Sequence, residues 1–455
     1  MITSPATHPV KRFLVNTRNM LRYYQDPLAY MTWMQRTYGK MSATTIGKVT
    51  MYAFFTPEAV RAVLIDHARS FTNRENSEHL IAFIGDGLLT IDGELHKQHR
   101  RLLLPAFHRK RVESYRNTIV AYTKRLLDSW RPGEQVNMLG EMQRLTVSVA
   151  AKTLFNVEIS ERTEELGKAF TTALEQANNY WVWRSIPFLR WNLPFTPYGR
   201  LYRATARLDR FVYQVIAERR ASSQDAGDII SMLLAARAED GTALSDRQVR
   251  DEAMTILLAG HETTANLLTW TLYLLSRHAA VREQLLCELS TVLKGRAPTI
   301  EDLAHLPYLE MVINETLRLY PPAWALLRRA SETVEIDGTR VSAGDVIWLS
   351  QWVMHRMPEY FPDPETFMPE RFEPQHGMKH PQFAFFPFGG GARRCLGMTF
   401  AYEEVRIVLA ILLQRYSPVL VDGFPVVPRP LITLRPKGGL RMRIEEAVLP
   451  AAIKG

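Results

Sequence analysis

The feature that most constrains this chain is a glycine-rich run before one of its two cysteines. Residues 388–397 read Phe-Gly-Gly-Gly-Ala-Arg-Arg-Cys-Leu-Gly, and an apolar stretch with helical periodicity follows. A free thiol has a pKa of about 8.5, so nearby positive charge or a metal is needed to hold it as a thiolate at neutral pH. Glycines let backbone N–H groups approach a sulfur closely. A lone cysteine is usually a small buried apolar residue, but these neighbours favour a metal-binding thiolate at Cys395.

The run resembles the haem loop of the cytochrome P450 family, which reads F-x-x-G-x-R-x-C-x-G. Its five fixed positions are met by Phe388, Gly391, Arg393, Cys395 and Gly397. The resemblance implies that Cys395 is the fifth ligand of the iron in haem b (iron protoporphyrin IX). It also implies that Phe388 packs near the sulfur and that Arg393 pairs with a haem propionate. A thiolate ligand pushes electron density toward the iron and favours O–O cleavage.

A second motif lies in the middle of the most apolar long segment, where residues 259–264 read Ala-Gly-His-Glu-Thr-Thr. A glycine inside a helix costs up to about 1 kcal/mol relative to alanine, and an unpaired buried charge costs more. The run is similar to the P450 distal helix at every position. The resemblance implies that Ala259 and Gly260 leave room over the iron for dioxygen and that Thr263 and Glu262 deliver protons to the bound oxygen. The alternative interpretation is a Thr that bonds back to the preceding turn and a Glu that faces solvent.

Basic residues elsewhere match the positions at which relatives bind the haem propionates. His96 and Arg100 lie one predicted helical turn apart, and many relatives carry Trp or His at the first position and Arg at the second. Arg328 occupies the place of a further propionate-binding Arg. Its neighbour Arg329 leaves that assignment open by one residue. The alternative interpretation of His96 and Arg100 is a solvated basic helix face.

Glu315 and Arg318 form an E-x-x-R pair on one face of the helix predicted at 310–320. The alternative interpretation is a solvated surface pair, worth about 0.3–0.5 kcal/mol. Residues 369–372, Pro-Glu-Arg-Phe, follow at a distance similar to that in the P450 family. The resemblance therefore implies that Arg371 joins Glu315 and Arg318 in a buried triad that supports the haem loop, which is a structural role and not a catalytic one.

The substrate-facing residues follow from the resemblance alone, and their apolar character predicts an apolar substrate such as a fatty acid or a terpenoid. Besides Ala259 and the loop from Phe71 to Leu89, they are Ala323, Trp324, Leu326, Leu431 and Ile432. Residues 180–198 are unusually aromatic and fall where the family has a mobile access lid. A packed core and a weak contact with a membrane surface are the other interpretations of that segment.

The periodicity predicts a mainly α fold with small β-sheets, the P450 fold with the haem between a long distal helix and a proximal Cys loop and helix. No linker or repeat divides the 455 residues, so we predict one domain, 1–455, with a β-containing part at about 26–90 and a helical, haem-binding part at about 91–455. The predicted helices are 26–38, 57–66 with Thr56 as N-cap, 143–155, 163–178, 202–221, 228–238, 245–278 and 310–320. The predicted strand regions are 40–55, a β-hairpin around Gly47-Lys48, 334–341, a second hairpin, and 431–443.

Composition excludes several other classes of protein. Cys287 and Cys395 cannot supply a disulfide framework or an iron–sulfur cluster, and the absence of C-x-x-C-H excludes covalent haem attachment. The N-terminal residues lack an apolar run long enough for a signal peptide or a membrane anchor. We therefore expect a cytoplasmic bacterial protein, a monomer with no membrane span.

The net charge of +9 raises the possibility of nucleic-acid binding, but the basic residues are scattered and no nucleic-acid module is recognisable. A basic surface also steers a partner with an acidic face. Since the chain has no room for a fused flavin reductase, we expect electrons from a ferredoxin or flavodoxin with its reductase.

These motifs together predict a monooxygenase that inserts one oxygen atom of O2 into an apolar organic substrate by hydroxylation or epoxidation. Two alternatives remain. A peroxide-driven peroxygenase is disfavoured because such relatives typically replace the acid–alcohol pair. A haem-thiolate sensor or carrier without turnover would have no need of the proton delivery that Glu262 and Thr263 imply.

Overall fold

The computed structural model describes residues 19, 22–46, 49–159, 162–222, 227–237, 241–374 and 379–448. Within them the chain groups into two compact units. The first, here called the sheet unit, comprises Met1–Asn76 and Asn314–Cys395. The second, the helical unit, comprises Ser77–Ile313 and Leu396–Gly455.

Helices dominate the described residues, as the periodicity predicted. In chain order they are α1 Pro27–Tyr38, α2 Pro57–Arg61, α3 Glu78–Ile84, α4 Gly93–Leu103, α5 Arg109–Ser114, α6 Arg116–Asp128, α7 Met138–Phe155, α8 Thr163–Asn178, α9 Tyr180–Arg184, α10 Pro197–Ala221, α11 Ile229–Ala235, α12 Asp246–Arg277, α13 Ala279–Leu293, α14 Ile300–Leu303, α15 Pro307–Leu319, α16 Gln351–Met354 and α17 Met398–Arg415.

The strands are short and form small sheets. They are β1 Met41–Ile46, β2 Val49–Phe54, β3 Phe71–Thr72, β4 Gln135–Asn137, β5 Leu326–Ala330, β6 Val334–Ile336, β7 Thr339–Val341, β8 Val346–Leu349, β9 Val419–Leu420, β10 Pro428–Pro430, β11 Leu434–Pro436 and β12 Arg441–Arg443. The mainly α prediction with small sheets is confirmed.

The sheet unit is built on a five-stranded sheet with the order β1-β2-β8-β5-β3. β1 and β2 are antiparallel, as predicted for residues 40–55, and β2 pairs with β8 in parallel. The turn predicted at Gly47-Lys48 lies outside the described residues. Thr56 then caps α2 by accepting a hydrogen bond from the Ala59 N–H at 3.2 Å, and Pro57 occupies the first turn, where its missing N–H costs nothing. The predicted helix 57–66 is confirmed, but its second half, Ala62–Asp66, is a π-helical turn.

A second hairpin of the sheet unit, β6–β7, confirms the prediction at 334–341. Asp337 and Gly338 at its tip have φ of 47° and 72°. Positive φ at both central residues is the type I′ requirement, which Asp-Gly meets at low cost.

The helical unit is organised around α12, which packs along α7. Ser245 and Gln248 form a capping box at its start, and the predicted helix 245–278 is confirmed. α10 packs on α8 and begins at Pro197, five residues before the predicted start at 202. The reason is local: the Thr196 side chain accepts from the Gly199 N–H, and proline follows at the first helical position.

The aromatic segment 180–198 consists of α9 and a 3₁₀ turn at Pro187–Arg190. Tyr180 and Trp183 are buried, but Trp191 is 59% exposed and Phe195 61% exposed. The packed-core interpretation is therefore wrong for the second half of the segment. Whether it serves as a lid or as a membrane contact stays a prediction. No helix among the described residues is both long and apolar enough to cross a membrane.

Glu404 of α17 places a carboxyl group in an environment inside the helical unit that disfavours its charged form. It is fully buried, and neither carboxyl oxygen has a hydrogen-bond partner. Burial alone raises its pKa well above the ordinary value for Glu, because a low-dielectric interior disfavours the charged form. Folding therefore favours the protonated form of this carboxyl at pH values between its ordinary pKa and the raised one.

We predict that Glu404→Gln stabilises the protein increasingly as pH rises. A group whose pKa is raised by folding costs nothing below its unfolded value of about 4.3 and costs up to about 1.4 kcal/mol per pH unit above it, until the raised pKa is passed. Gln keeps the shape and does not titrate. Urea unfolding should give similar free energies for the two proteins near pH 4.5 and a higher one for the variant at pH 8. Glu283→Gln, on exposed α13 surface, serves as control; a pH-independent difference for Glu404→Gln would contradict the assignment.

Candidate active site

The conformation of the cysteine loop depends on a glycine that allows a close backbone approach and on a backbone hydrogen bond across the loop. The Cys395 N–H donates to the Phe388 carbonyl at 3.0 Å, and the thiol itself is exposed. Gly391 has φ +63°, and a Cβ there would lie 2.1 Å from the Leu64 carbonyl oxygen. Only glycine fits that position. At Gly397 a Cβ would meet nothing closer than Phe107 at 3.6 Å, so crowding by neighbouring protein atoms does not explain this second glycine.

Glu315, Arg318 and Arg371 lie together, fully or almost fully buried. The Arg318 guanidinium donates two hydrogen bonds of 2.7 Å to the Glu315 carboxylate, from Nε to Oε2 and from one Nη to Oε1. Arg371 Nε donates to the same Oε1 at 3.3 Å. The surface-pair interpretation is therefore wrong. Because breaking a buried ion pair costs about 3–5 kcal/mol, this group fixes the geometry of its surroundings.

His355 extends this group to the cysteine loop, and the sequence analysis missed it. Its carbonyl accepts from Arg318 at 2.9 Å, while its ring Nε2 accepts from the Phe386 N–H at 3.0 Å, two residues before Phe388. Burial first, and then the charges of Arg318 and Arg356, lower the pKa of His355 well below its usual value. The ring is therefore neutral, as an acceptor at Nε2 requires. No local pattern marks His355, because both of its contacts are distant in sequence.

Helix α12 is buried along most of its length, but one stretch near its middle is accessible. Ala259 is exposed, and Gly260 and Thr263 are half-buried. A Cβ on Gly260 would meet only Leu154, at 3.9 Å, so the helix surface is open there. The Thr263 hydroxyl donates to the Ala259 carbonyl at 2.7 Å, which is the back-bond that the alternative interpretation anticipated.

Glu262 points the other way, into the protein. It is 1% exposed, so the solvent-facing interpretation is wrong. Its Oε1 accepts from Thr433 at 3.0 Å and from Asn266 at 3.3 Å, and its Oε2 accepts from Gln143 at 3.1 Å. These three side chains are its partners among the described residues, and none of them is cationic. The sequence analysis missed all three.

His261, between these residues in sequence, is also buried, and its ring packs against that of Phe170 at a tilt of 39°, with centroids 5.3 Å apart. Burial lowers its pKa from the ordinary His value. It is therefore a neutral packing residue.

Two hydrogen bonds to the Glu252 carboxyl group connect α4 and the loop before it to α12. His99 Nδ1 lies 2.6 Å from Glu252 Oε1, and both side chains are buried. The Leu88 N–H donates to the other oxygen of Glu252 at 3.2 Å. On the same α4 helix His96 is buried and Arg100 is half-buried, so the solvated-face interpretation is wrong for His96. Sequence reasoning named His96 and Arg100 but missed the His99–Glu252 pair.

Arg328 and Arg329 are adjacent in β5, so their side chains project from opposite faces. Arg329 is paired with the Glu75 carboxylate at 3.0 Å and donates to the Gly344 carbonyl at 3.0 Å. Arg328 donates to the Asn73 amide oxygen at 3.1 Å.

The predicted substrate-facing residues differ in exposure. Ala323, Leu326 and Ile432 are half-buried, whereas Trp324 and Leu431 are buried. Trp324 also lies against Trp348, with ring centroids 6.3 Å apart. Their contact with a substrate stays a prediction.

These features can be compared with what a haem requires. An axial ligand must be accessible, and the Cys395 thiol is exposed on a closed loop. Dioxygen and a substrate need accessible space, and the surface of α12 is accessible at Ala259, Gly260 and Thr263. The two propionates call for cations, and Arg100, Arg328 and Arg393 are all half-buried. The residues present fit a haem.

Comparison with known proteins points the same way. The family model described as Cytochrome P450 matches residues 8–440. The chain is 33% identical over 421 residues to cyclooctatin synthase of Streptomyces melanosporofaciens, across 92% of this chain and 91% of that protein. It is 32% identical over 425 residues to pentalenene oxygenase of Streptomyces avermitilis, across 92% of each.

A solved structure described as retinoic acid bound cyanobacterial CYP120A1 superposes with a TM-score of 0.80 at 28% identity, covering 90% of this chain and 93% of that one.

Proposed function

Since the chain belongs to the cytochrome P450 family and is a haem-thiolate monooxygenase, we propose that it oxygenates a terpenoid or a similarly apolar molecule. Pentalenene and retinoic acid, named for two similar proteins, are both terpenoid. The predicted substrate-facing side chains are apolar as well. The observation that carries the proposal is that the chain has both an accessible Cys395 thiol and, on the accessible part of α12, the acid–alcohol pair Glu262–Thr263.

We assign the haem contacts as follows, with Cys395 as the iron ligand. Phe388, Gly391 and Gly397 shape the loop, and Ala259 and Gly260 leave space for dioxygen. His96, Arg100, Arg393 and Arg328 hold the propionates. Arg328 is preferred to Arg329 because Arg329 is paired with Glu75 and projects from the other face of β5.

The bound haem supplies the oxidation, in which RH, O2, two electrons and two protons give ROH and H2O. The chain must supply the protons and exclude other reactions. Thr263 Oγ1 donates to Ala259 O and keeps acceptor capacity on the open face. Glu262, one residue earlier, is the carboxyl that we propose stores and releases a proton. A binding protein without turnover would have no use for this pair, and a peroxide-driven enzyme would have little.

We propose that electrons come from a ferredoxin or flavodoxin with its reductase. The exposed basic residues Arg109 and Lys110 at the start of α5 suit a partner with an acidic face, which long-range attraction would steer. We further propose that the whole chain is one P450 domain acting as a cytoplasmic monomer, which the family match over residues 8–440 supports.

We predict that Cys395→Ala abolishes the thiolate-type spectrum of the reduced, carbon monoxide-bound protein, because the iron loses its sulfur ligand. Cys287→Ala is the matched control, since Cys287 is half-buried on α13, and it should keep the spectrum. If Cys395→Ala also kept it, the ligand assignment would be wrong.

We predict that Thr263→Ala consumes reductant but diverts it into hydrogen peroxide, since losing the hydroxyl misplaces a proton and leaves electron transfer intact. Thr269→Ala is the control: its hydroxyl makes the same 2.7 Å back-bond, to Ala265, on a fully buried part of the same helix. Peroxide and product are measured per NADPH oxidised. Equal coupling in both variants would mean that protons arrive by another route.

We predict that pentalenene and retinoic acid shift the haem Soret band as axial water is displaced, and that straight-chain dodecanoic acid does so less. The physical reason is rigidity, since a ring system or a conjugated polyene loses less conformational freedom on binding than a flexible saturated chain. Titrations of the purified holoprotein followed by absorbance decide the matter. A stronger response to dodecanoic acid than to either terpenoid would count against the substrate class.

A further inference from the structure

Thr433 stands at the centre of the hydrogen bonds around Glu262. Its hydroxyl donates to Glu262 Oε1 at 3.0 Å and accepts from Asn266 Nδ2 at 3.1 Å. Asn266, one helical turn after Glu262, also donates to Oε1, at 3.3 Å. A single hydroxyl thus uses both its proton and a lone pair to hold the carboxylate and the amide in place.

The same residue ends a tight turn of the chain. The Leu431 N–H donates to the Thr433 carbonyl at 3.1 Å, which closes residues 431–433 on themselves. β11 begins at the next residue, and the Trp270 indole N–H donates to the Leu434 carbonyl at 3.1 Å. Thr433 is therefore held from both sides, by its own turn and by α12. A displacement of Leu431 or Ile432 would be transmitted to the Thr433 hydroxyl.

Glu262 has little else to fix its orientation. On Oε1 it has Thr433 and the longer Asn266 contact, and on Oε2 it has Gln143 at 3.1 Å. Removing the Thr433 hydroxyl would leave Oε1 with the 3.3 Å bond alone and would take an acceptor from Asn266. The direction of the carboxyl would then be poorly defined.

We propose that Thr433 is a positioning residue for Glu262 and that it ties the orientation of this acid to the turn at Leu431–Thr433. The inference rests on the proposed function, in which Glu262 donates protons and Leu431 and Ile432 meet the substrate. A substrate that presses on the turn changes the hydrogen bonds of Thr433, and proton delivery responds to occupancy of the pocket. Thr433 itself need not touch the reacting atoms.

The test measures hydrogen peroxide released per NADPH oxidised by the holoenzyme with a surrogate ferredoxin and reductase. Retinoic acid is the probe, and the ratio is defined whether or not the probe is the natural substrate. Thr433→Val removes the hydroxyl at nearly constant shape, and Thr433→Ser restores it. Thr271→Val is the matched control, because the Thr271 hydroxyl is buried on α12 and bonds only back to Leu267, at 2.8 Å.

We expect Thr433→Val to raise the peroxide ratio by about threefold to tenfold, a part of the roughly 10²–10⁴-fold that a positioned proton donor contributes. Ser at 433 and Val at 271 should stay near the wild-type ratio. Adding Glu262→Gln to Thr433→Val should change the ratio no further than Glu262→Gln alone, because both act through one group. The probe should alter the ratio in the wild type but not in Thr433→Val.

The outcomes separate this inference from the proposed function. An unchanged ratio in Glu262→Gln would remove Glu262 from proton delivery and overturn both. A raised ratio in Glu262→Gln with a wild-type ratio in Thr433→Val would overturn the inference alone. Failure of Thr433→Ser to restore the ratio, or additive effects in the double variant, would show a packing role for Thr433 and overturn it as well.

Discussion

The burial of Arg318 is the constraint on which the sheet unit depends. A guanidinium taken out of water costs several kcal/mol, and the cost is offset only if its charge is paired and its N–H groups are bonded. Glu315 supplies the charge and two acceptors, and the carbonyls of His355, Pro364 and Thr366 supply the others, at 2.9, 2.6 and 3.1 Å. Each acceptor has one position that satisfies the arginine. The segment from His355 to Thr366 is thereby fixed, and through the His355 ring so is the backbone at Phe386.

Much of the fold and of the candidate site could be predicted from sequence, because the relevant signals are local. Thr56 before Pro57 and Ser245 before the apolar helix are N-cap residues, and each indicates the start of the helix that follows it. The glycine at 391 announces a close backbone approach, which the Leu64 carbonyl provides. The predicted start of α10 at residue 202 is wrong because Thr196 and Pro197 form an N-cap and first turn five residues earlier. The solvent-facing alternative for Glu262 is wrong because two of its three partners, Gln143 and Thr433, are distant in sequence.

All of the residues that sequence reasoning missed, except Asn266, which lies four residues after Glu262, share one property. His355, Thr433 and the His99–Glu252 pair act through contacts between positions 31 to 171 residues apart. Nothing in a window of helical or strand length distinguishes such a histidine or threonine from any other. A motif indicates the role of a side chain, but only the packed structure shows which neighbouring residues hold that side chain in position. The supporting residues of a site are therefore the part that a motif cannot supply.

Two buried carboxylates in this chain are stabilised in opposite ways, and the difference fits the roles that we propose for them. Glu315 is held by two guanidinium groups, so neutralising it would leave two buried cations unpaired, at about 3–5 kcal/mol. Glu262 is held by an amide, a second amide and a hydroxyl. If it takes up a proton, its neutral donors are left with weaker bonds and not with an uncompensated charge. Hydrogen bonds to a charged group are worth about 1.5–3 kcal/mol and neutral ones about 0.5–1.5 kcal/mol, so each contact loses only the difference. Such neutral partners therefore suit the proton-donating role that we propose for Glu262 better than a buried arginine would.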